Sequence, residues 1–425
     1  MTYDIVFINP PIPATDRGKF KGIYREECCV GLKKDGPILP SLLCWFCGIA
    51  EQKYKVALLD LQVSPYESIP QAKYYVVSAS VYTLKEDLAI TKELKNNFPS
   101  CRIAVVVQPP VLERWIKENY PVDYVIGQPR VQKFMQLFNL KKDAPSAYHL
   151  IELNKYTITP VYNGMGCPFD CIFCAWARTK HFYRDIDLAV NDALYVANES
   201  KSRMIYFIDP NTLLFPEWAV NFAKEIDNRF KWHIDARADR NEYKLLQELA
   251  KNGCTKITYG LETPELQKVH KGVKLEDILT AAKNCDEIGI YAYFTTLFGF
   301  PWDSWETQKL HKRFLEKILI YNSVTANVAF PVPHPNTVLY QMVKNRLPFS
   351  TIIDMYEKLR YRNEPAFPTD YLSIPELKRA YEDLYYFIHE KKVKILLNNF
   401  KLRYLRHIPK YIRTKISHFL SFRSK

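Results

Sequence analysis

Three cysteines in one short run are the residues of this sequence best suited to chemistry. Cys167, Cys171 and Cys174 lie within eight residues, in the spacing Cx3CxxC. Three thiolates placed in this way can ligate three corners of a cubane iron–sulfur cluster, which leaves the fourth iron without a protein ligand. An open coordination position is typical of a catalytic metal site, because a substrate or cofactor can bind there. We therefore predict a 4Fe-4S cluster ligated by these three residues.

Two other interpretations of the cysteines are weaker. A structural zinc site normally has four ligands, and the next candidate after Cys174 is His181, seven residues further on. A disulfide would leave one thiol over and suits an oxidising compartment. The first residues form an apolar strand pattern without the basic start and cleavage site of a signal peptide. No apolar run approaches the ~20 residues that cross a membrane, so we expect a cytoplasmic protein.

The positive charge of the chain is concentrated at one end. The formal net charge is +13, and residues 391–425 contain eleven Lys and Arg but no Asp or Glu, so the first 390 residues carry only +2. This distribution argues against a uniformly basic nucleic-acid-binding protein. Basic amphipathic segments lie on anionic membrane surfaces, and residues 391–425 have that pattern. The alternative is a helix packed on the protein with its charges in water.

The first ~140 residues alternate short apolar runs with segments of helical length. This alternation predicts a doubly wound parallel sheet of the Rossmann or flavodoxin type. Ligands of such sheets bind beyond the carboxyl ends of the strands. We assign residues 1–140 to this α/β domain. Its predicted strands are 4–9, 54–59, 74–78, 102–107 and 123–126.

A second β/α series follows a linker that we place at 141–154. Six strands separated by helices are too few for a full eight-stranded barrel and fit a partial (β/α)6 barrel of the TIM type, over 155–345. The cysteines follow its first strand, at the end where such barrels have their active sites. Residues 346–425 form a helical C-terminal region that includes the basic tail. The predicted strands of the barrel are 157–162, 203–208, 231–235, 255–260, 290–297 and 324–331.

The barrel segment resembles the radical S-adenosylmethionine (SAM) superfamily. Cx3CxxC with Phe173 before the last cysteine is that family's cluster motif. Three further segments resemble motifs of its cobalamin-associated branch, with Asn336 where glycine is usual. These segments are Gly260-Leu261-Glu262-Thr263 with Val269-His270-Lys271-Gly272, then Gly299-Phe300-Pro301 with Trp305-Glu306-Thr307, and finally Pro333-His334-Pro335-Asn336-Thr337-Val338-Leu339-Tyr340.

The N-terminal region resembles the cobalamin-binding domain of the same branch, with departures. The first histidine of the chain is His149, so the domain has no lower axial His ligand, and any bound cobalamin would be His-off. Gln108-Pro109-Pro110 stands where a Gly-Gly-x-His-like turn is often seen, and Gln128-Pro129-Arg130 stands where a Gly-Glu-x-Glu run is usual. Glycine permits close backbone approach to a ligand, whereas proline lacks the N–H donor. Two hypotheses therefore stay open: a domain that binds cobalamin and a degenerate one that does not.

The resemblance implies a chemistry and a set of cofactor contacts. The open iron would chelate SAM, and an electron from the reduced cluster would cleave the sulfonium to methionine and a 5′-deoxyadenosyl radical. Strand-end position gives Asp209, Arg237 and Glu262 as SAM contacts, each with a competing role as a capping or ion-paired residue. Arg184, ten residues beyond Cys174, would pack over the cluster loop or be solvated. No residue is assigned a catalytic role.

Three functional hypotheses follow. The first is a cobalamin-dependent radical SAM enzyme that methylates or otherwise functionalises a C–H bond. The second is a radical SAM enzyme without cobalamin, and the third is a non-catalytic iron–sulfur electron-transfer protein. The expected partners are a small-molecule substrate, lipid-like if the tail contacts the inner membrane surface, and a reduced electron donor such as flavodoxin or ferredoxin. Nucleic acid is not an expected partner.

Overall fold

A computed structural model describes residues 2–13, 16, 22–24, 31–33, 36–64, 68–108, 112–202, 204–360 and 364–399. The strands are β1 Tyr3–Asn9, β2 Gly22–Tyr24, β3 Gly31–Lys33, β4 Val56–Asp60, β5 Ala72–Ser78, β6 Arg102–Val106, β7 Tyr124–Ile126, β8 Pro160–Tyr162, β9 Gly164–Met165, β10 Phe182–Tyr183, β11 Ile205–Ile208, β12 Trp232–Ala236, β13 Cys254–Glu262, β14 Tyr291–Leu297 and β15 Val324–Ala329. The helices are α1 Ser41–Glu51, α2 Leu84–Asn97, α3 Glu113–Asn119, α4 Arg130–Leu137, α5 Ile186–Glu199, α6 Pro216–Ile226, α7 Tyr243–Lys251, α8 Leu275–Ile288, α9 Trp305–Ile318, α10 Val338–Val343, α11 Ile352–Lys358 and α12 Ile374–Asn399.

The N-terminal sheet is parallel, with the strand order β4-β1-β5-β6-β7. When only the five strands of this sheet are numbered along the chain, the order is 2-1-3-4-5, as in flavodoxin-like folds. The topological switch point of this order lies between β1 and β5. The strands are mostly buried apolar runs, as expected when helices cover both faces of a sheet. The predicted doubly wound domain is therefore confirmed as a fold.

The second sheet contains six parallel strands in the order β15-β14-β13-β12-β11-β8. Adjacent strands in space are also consecutive units of the β/α series, which is the arrangement of an open TIM-type barrel. In β14 and β15 buried residues alternate with less buried ones, so one face of each strand packs on the helices and the other faces the barrel interior. The predicted partial barrel is confirmed.

Residues 141–154 are packed into the protein. Ala144, Ala147 and Tyr148 are buried, and the amide of Ala147 donates to Cys44 O in α1 at 2.9 Å. Further on, Tyr156 Oη donates to Asp60 Oδ2 at the end of β4 at 2.7 Å. The segment predicted as a linker is therefore part of a hydrophobic core that also includes residues of the N-terminal sheet and of the barrel.

The helical C-terminal region closes the far edge of the barrel. Helix α12 packs on β15 and α9, and Tyr381 stacks on Phe330 with ring centroids 4.6 Å apart. Lys391 Nζ contacts Glu316 Oε1 at 2.7 Å. The rest of the basic tail, from residue 400, lies outside the described residues. Among the helices that the structure describes, none is long and apolar enough to cross a membrane.

Helix α1 approaches the connecting segment so closely that only glycine fits at residue 48. A Cβ on Gly48 would lie 1.9 Å from Pro145 O. We expect Gly48→Ala to lower the free energy of unfolding by about 2 kcal/mol, since overpacking against backbone cannot be relieved by a side-chain rotation. Urea denaturation measures the change. In the control Gly289→Ala, nothing lies within 4 Å of the added carbon, and a loss of about 1 kcal/mol from the left-handed backbone is expected. Equal losses would contradict the prediction.

Candidate cluster-binding site

The cysteines lie on a loop that leaves the carboxyl end of β8. The loop is closed at its base by β9 and β10, which pair antiparallel through Met165 and Phe182. Gly166 has φ +94°, and a Cβ there would lie 2.1 Å from Lys180 O. A non-glycine residue at this position would therefore force the two ends of the loop apart.

Hydrogen bonds within the loop fix the cysteine backbone. Cys167 N donates to Thr179 Oγ1 at 2.9 Å, and Thr179 N donates back to Cys167 O at 2.9 Å. Cys174 N donates to Cys171 O at 3.2 Å. All three cysteines are half-buried free thiols. In the part of the chain that the structure describes, no three His, Cys, Asp or Glu side chains surround a single point where one metal ion would bind. A cubane instead takes one thiolate at each of three corners.

Two barrel segments hold the loop from either side through Ile172. Its N–H donates to Val269 O at 3.2 Å, and its carbonyl accepts from Leu339 N at 2.9 Å. The side chain of Ile172 is buried in a second hydrophobic core together with residues of the N-terminal sheet. Asn336 Nδ2 also donates to Ala175 O at 3.1 Å. Both segments that resemble family motifs, 269–272 and 333–340, therefore form hydrogen bonds with the cysteine loop.

Burial and nearby positive charge act in opposite directions on the pKa values of the thiols in the loop. Burial raises the pKa values of the Cys167 and Cys171 thiols, which disfavours the thiolates that ligate metal. Positive charges lower them again: Arg237 acts on both thiols and Lys271 acts on Cys171. Binding iron as thiolates is therefore favoured by cations placed beside the loop.

Arg237 lies at the end of β12 against this loop. Its guanidinium carbon is 3.6 Å from the centroid of the Phe169 ring, and Nη1 donates to Lys271 O at 2.6 Å. Nε and Nη2 donate to the two carboxylate oxygens of Asp239 at 3.1 and 2.8 Å. The predicted SAM contact is thus at the loop, but its donors are already engaged with the protein.

Glu262 pairs with Lys271 in the same place. Lys271 Nζ lies 2.7 Å from Glu262 Oε1, with the side chains 9% and 10% exposed. Burial alone lowers the pKa of Lys271, but the Glu262 carboxylate outweighs it and the pKa is raised. Sequence reasoning gave Lys271 no role. The sequence signal that could have indicated a role for Lys271 was its position in the motif 269–272, between His270 and Gly272.

Asp209 follows β11 and is fully buried behind the loop. Its carboxylate lies 3.0 and 3.2 Å from His181 Nε2, and Asn211 N donates to Oδ1 at 2.9 Å. His181 Nε2 therefore faces a carboxylate. A role of Asp209 as a SAM contact stays a prediction and would require exchange of the His181 contact.

Arg184 has a structural environment instead of a place over the cluster loop. Its side chain is fully buried, and it lies 2.8 Å from Asp192 and 3.2 Å from Asp143. Nη2 donates to Ala144 O at 2.9 Å, and the guanidinium stacks on Trp45 at 4.5 Å. These contacts join α1, α5 and the connecting segment. Neither packing over the cluster loop nor solvation, the two expectations from sequence, describes this side chain.

Comparison with known proteins identifies the domain that carries the loop. Residues 164–315 match the family model of the radical SAM superfamily. An uncharacterized methyltransferase of Pyrococcus horikoshii is 23% identical over 290 residues, which span 63% of this chain and 60% of that relative. Residues 164–315, which include the cysteine loop, therefore form a radical SAM domain, and the resemblance stated from the sequence is confirmed for this segment.

Two solved structures share the overall fold. The radical SAM methyltransferase TsrM from Kitasatospora setae, solved with cobalamin and a [4Fe-4S] cluster, superposes with a TM-score of 0.60 at 14% identity, over 81% of this chain and 78% of TsrM. The cobalamin-dependent SAM radical enzyme OxsB, solved with aqua-cobalamin and SAM, gives a TM-score of 0.63 at 14% identity, over 100% of this chain and 75% of OxsB. The fold of an N-terminal α/β domain followed by a radical SAM barrel is therefore shared.

The contacts of Arg184 predict a loss of stability without a loss of cofactor binding. Arg184→Met leaves Asp192 buried without its cation, which costs about 3–5 kcal/mol in the free energy of unfolding. The exposed Arg114→Met, whose side chain is 90% accessible, should change it by no more than about 0.5 kcal/mol. Urea denaturation and iron content per folded chain are the measurements. Unchanged stability together with lost iron would instead give Arg184 a cofactor role.

Proposed function

We propose that this protein is a cobalamin-dependent radical SAM methyltransferase. Cys167, Cys171 and Cys174 would ligate a 4Fe-4S cluster, and SAM would bind at the open iron beside them. When bound, the cluster supplies the electron that cleaves SAM to methionine and a 5′-deoxyadenosyl radical. The protein contributes position, charge and exclusion of water, while the cofactors supply the reactivity.

One observation carries this proposal: three free thiols stand on a single loop that the barrel fixes through Ile172 on both its N–H and its carbonyl. The thiol burial and the neighbouring cations fit the cluster, since half-buried thiolates need compensating positive charge. An electron-transfer protein needs no free iron position. The resemblance of the barrel to enzymes that bind SAM favours the catalytic hypothesis.

Cobalamin is proposed from the N-terminal sheet and its contact with the barrel. Arg130, at the start of α4 beyond β7, is buried, with its guanidinium 5.3 Å from the Trp176 ring in the cysteine loop. At the same edge of the sheet, Gln108 Nε2 and Gln132 Oε1 are buried without hydrogen-bond partners. Buried amide atoms without partners fit a polar ligand between the sheet edge and the loop. Pro109 and Pro110, the departures noted in the sequence, lie outside the described residues.

The other partners are proposed on sequence grounds. A flavodoxin or ferredoxin would reduce the cluster, and residues 391–425 would contact an anionic membrane, in keeping with a lipid-like small-molecule substrate. Lys391 and Lys392 contact the barrel, so the tail begins on the protein surface. Co-sedimentation with anionic liposomes of the full chain, and of a chain lacking residues 396–425, separates membrane contact from the packed alternative.

The cluster assignment predicts opposite results for two cysteine variants. Cys171→Ala removes one of three ligands, so we expect anaerobically reconstituted protein to lose most of its cluster absorbance and at least about 100-fold of its SAM cleavage. Cys101→Ala changes a buried thiol in the N-terminal domain and should keep both. Iron analysis and chromatography of 5′-deoxyadenosine are the measurements. Full iron and full cleavage in Cys171→Ala would refute the assignment.

The cobalamin assignment predicts about one cobalamin per chain after purification with added hydroxocobalamin. Because residues 1–148 contain no histidine, we expect the electron paramagnetic resonance spectrum of the cob(II)alamin form to lack nitrogen hyperfine splitting from a protein imidazole. Cobalt analysis gives the stoichiometry. Cluster-containing protein that cleaves SAM but binds no cobalamin would favour the cobalamin-independent hypothesis.

A further inference from the structure

The motif that follows β13 runs directly against the cysteine loop. Val269 O accepts from Ile172 N at 3.2 Å, and His270 Nδ1 lies 3.9 Å from Asp170 Oδ2. The carbonyl of the next residue, Lys271, accepts a hydrogen bond from Nη1 of Arg237, which lies against the cysteine loop. Residues 269–271 therefore lie alongside 170–172, and the segment that carries Lys271 is held against the loop that carries Cys171.

The Glu262–Lys271 pair is built at a cost in stability. Glu262 has φ +59°, a left-handed conformation that is unfavourable for a residue with a Cβ. A Cβ on Gly260 would lie 2.1 Å from Glu262 Oε1 and 2.3 Å from Lys271 Nζ. Glycine is thus required at 260 so that the two charged groups can lie over the strand. Buried ion pairs seldom stabilise a protein more than apolar residues would, so stability does not explain this arrangement.

The chemistry of the neighbouring thiols does explain it. The hydrogen bond from Ile172 N to Val269 O, and that from Arg237 Nη1 to Lys271 O, place Lys271 beside the loop that carries Cys171. The charge of Lys271 therefore acts on whatever the thiolates of that loop ligate. A cluster that accepts one electron becomes more negative, so a cation fixed nearby stabilises the reduced form and raises the reduction potential. A carboxylate bonded to that cation weakens the effect.

We propose that Lys271 is a positioning residue that sets the reduction potential of the cluster ligated by Cys167, Cys171 and Cys174, and that Glu262 moderates it. The inference rests on the proposed function. The step concerned is the uptake of one electron by the cluster from an external one-electron donor, without any bond being formed or broken. The glycine at 260 and the left-handed Glu262 serve to hold this pair beside the loop.

A redox titration of the reconstituted full chain in the absence of SAM, followed by electron paramagnetic resonance, tests the proposal. Lys271→Met removes the cation and should lower the ratio of reduced to oxidised cluster at a fixed potential by about tenfold, which corresponds to about 59 mV for one electron. Glu262→Gln leaves the cation uncompensated and should raise that ratio by a similar factor. The matched control is Lys268→Met, whose side chain is 42% exposed and paired with Glu265, and we expect its ratio to stay within about twofold.

Opposite shifts in the two variants support the proposal, because mere loosening of the loop would move both in one direction. Unchanged potentials, shifts of the same sign, or weaker SAM binding with unchanged SAM-free potentials would each overturn it. If Lys271→Met loses its iron, Lys271→Arg keeps the charge and must retain the wild-type potential. A wild-type chain that forms no cluster would instead refute the proposed function, so the two failures are distinguishable.

Discussion

The rest of this structure depends on one constraint, which is that the cysteine loop must accommodate negatively charged thiolates in a half-buried position. Thiolates that ligate iron are favoured by a cationic surrounding, and burial of Cys167 and Cys171 works against them. Cations are supplied by two side chains, Arg237 and Lys271, and each is held by a carboxylate of its own. The charged residues around the loop are therefore held in place by ion pairs within the protein.

The same loop also sets how the two halves of the chain are joined. Ile172 is hydrogen-bonded to two barrel segments and buried against residues of the N-terminal sheet. The connecting segment, through Ala147 and Tyr148, fills the other core. Because the loop and the connecting segment are each part of a shared core, a displacement of the N-terminal sheet would disturb the cysteine backbone.

The sequence was sufficient to predict the strands of the two parallel sheets and the cysteine loop, but not the short hairpins or the partners of most polar residues. Apolar runs of four to eight residues predict buried strands, and the spacing of the cysteines predicts a cluster-binding loop. Ion pairs leave no comparable pattern in the sequence, because the partners can lie far apart along the chain. Arg184 lies near the cysteines in sequence, yet its partners Asp143 and Asp192 come from the connecting segment and α5. The pairing of Glu262 with Lys271 depends on a bulge and a left-handed residue in β13, which no periodicity reveals.

The N-terminal sheet contributes to the site by shape and amide groups. Arg130 and Trp176 meet where the carboxyl edge of the sheet faces the cysteine loop, and the buried amides of Gln108 and Gln132 lie at that edge. With no histidine in residues 1–148, this part of the chain offers a ligand hydrogen bonds and packing but no imidazole for a metal. A cobalamin held there would be bound by these amide groups and by packing, so the interface, rather than a metal–ligand bond from this domain, would fix its position relative to the cysteine loop.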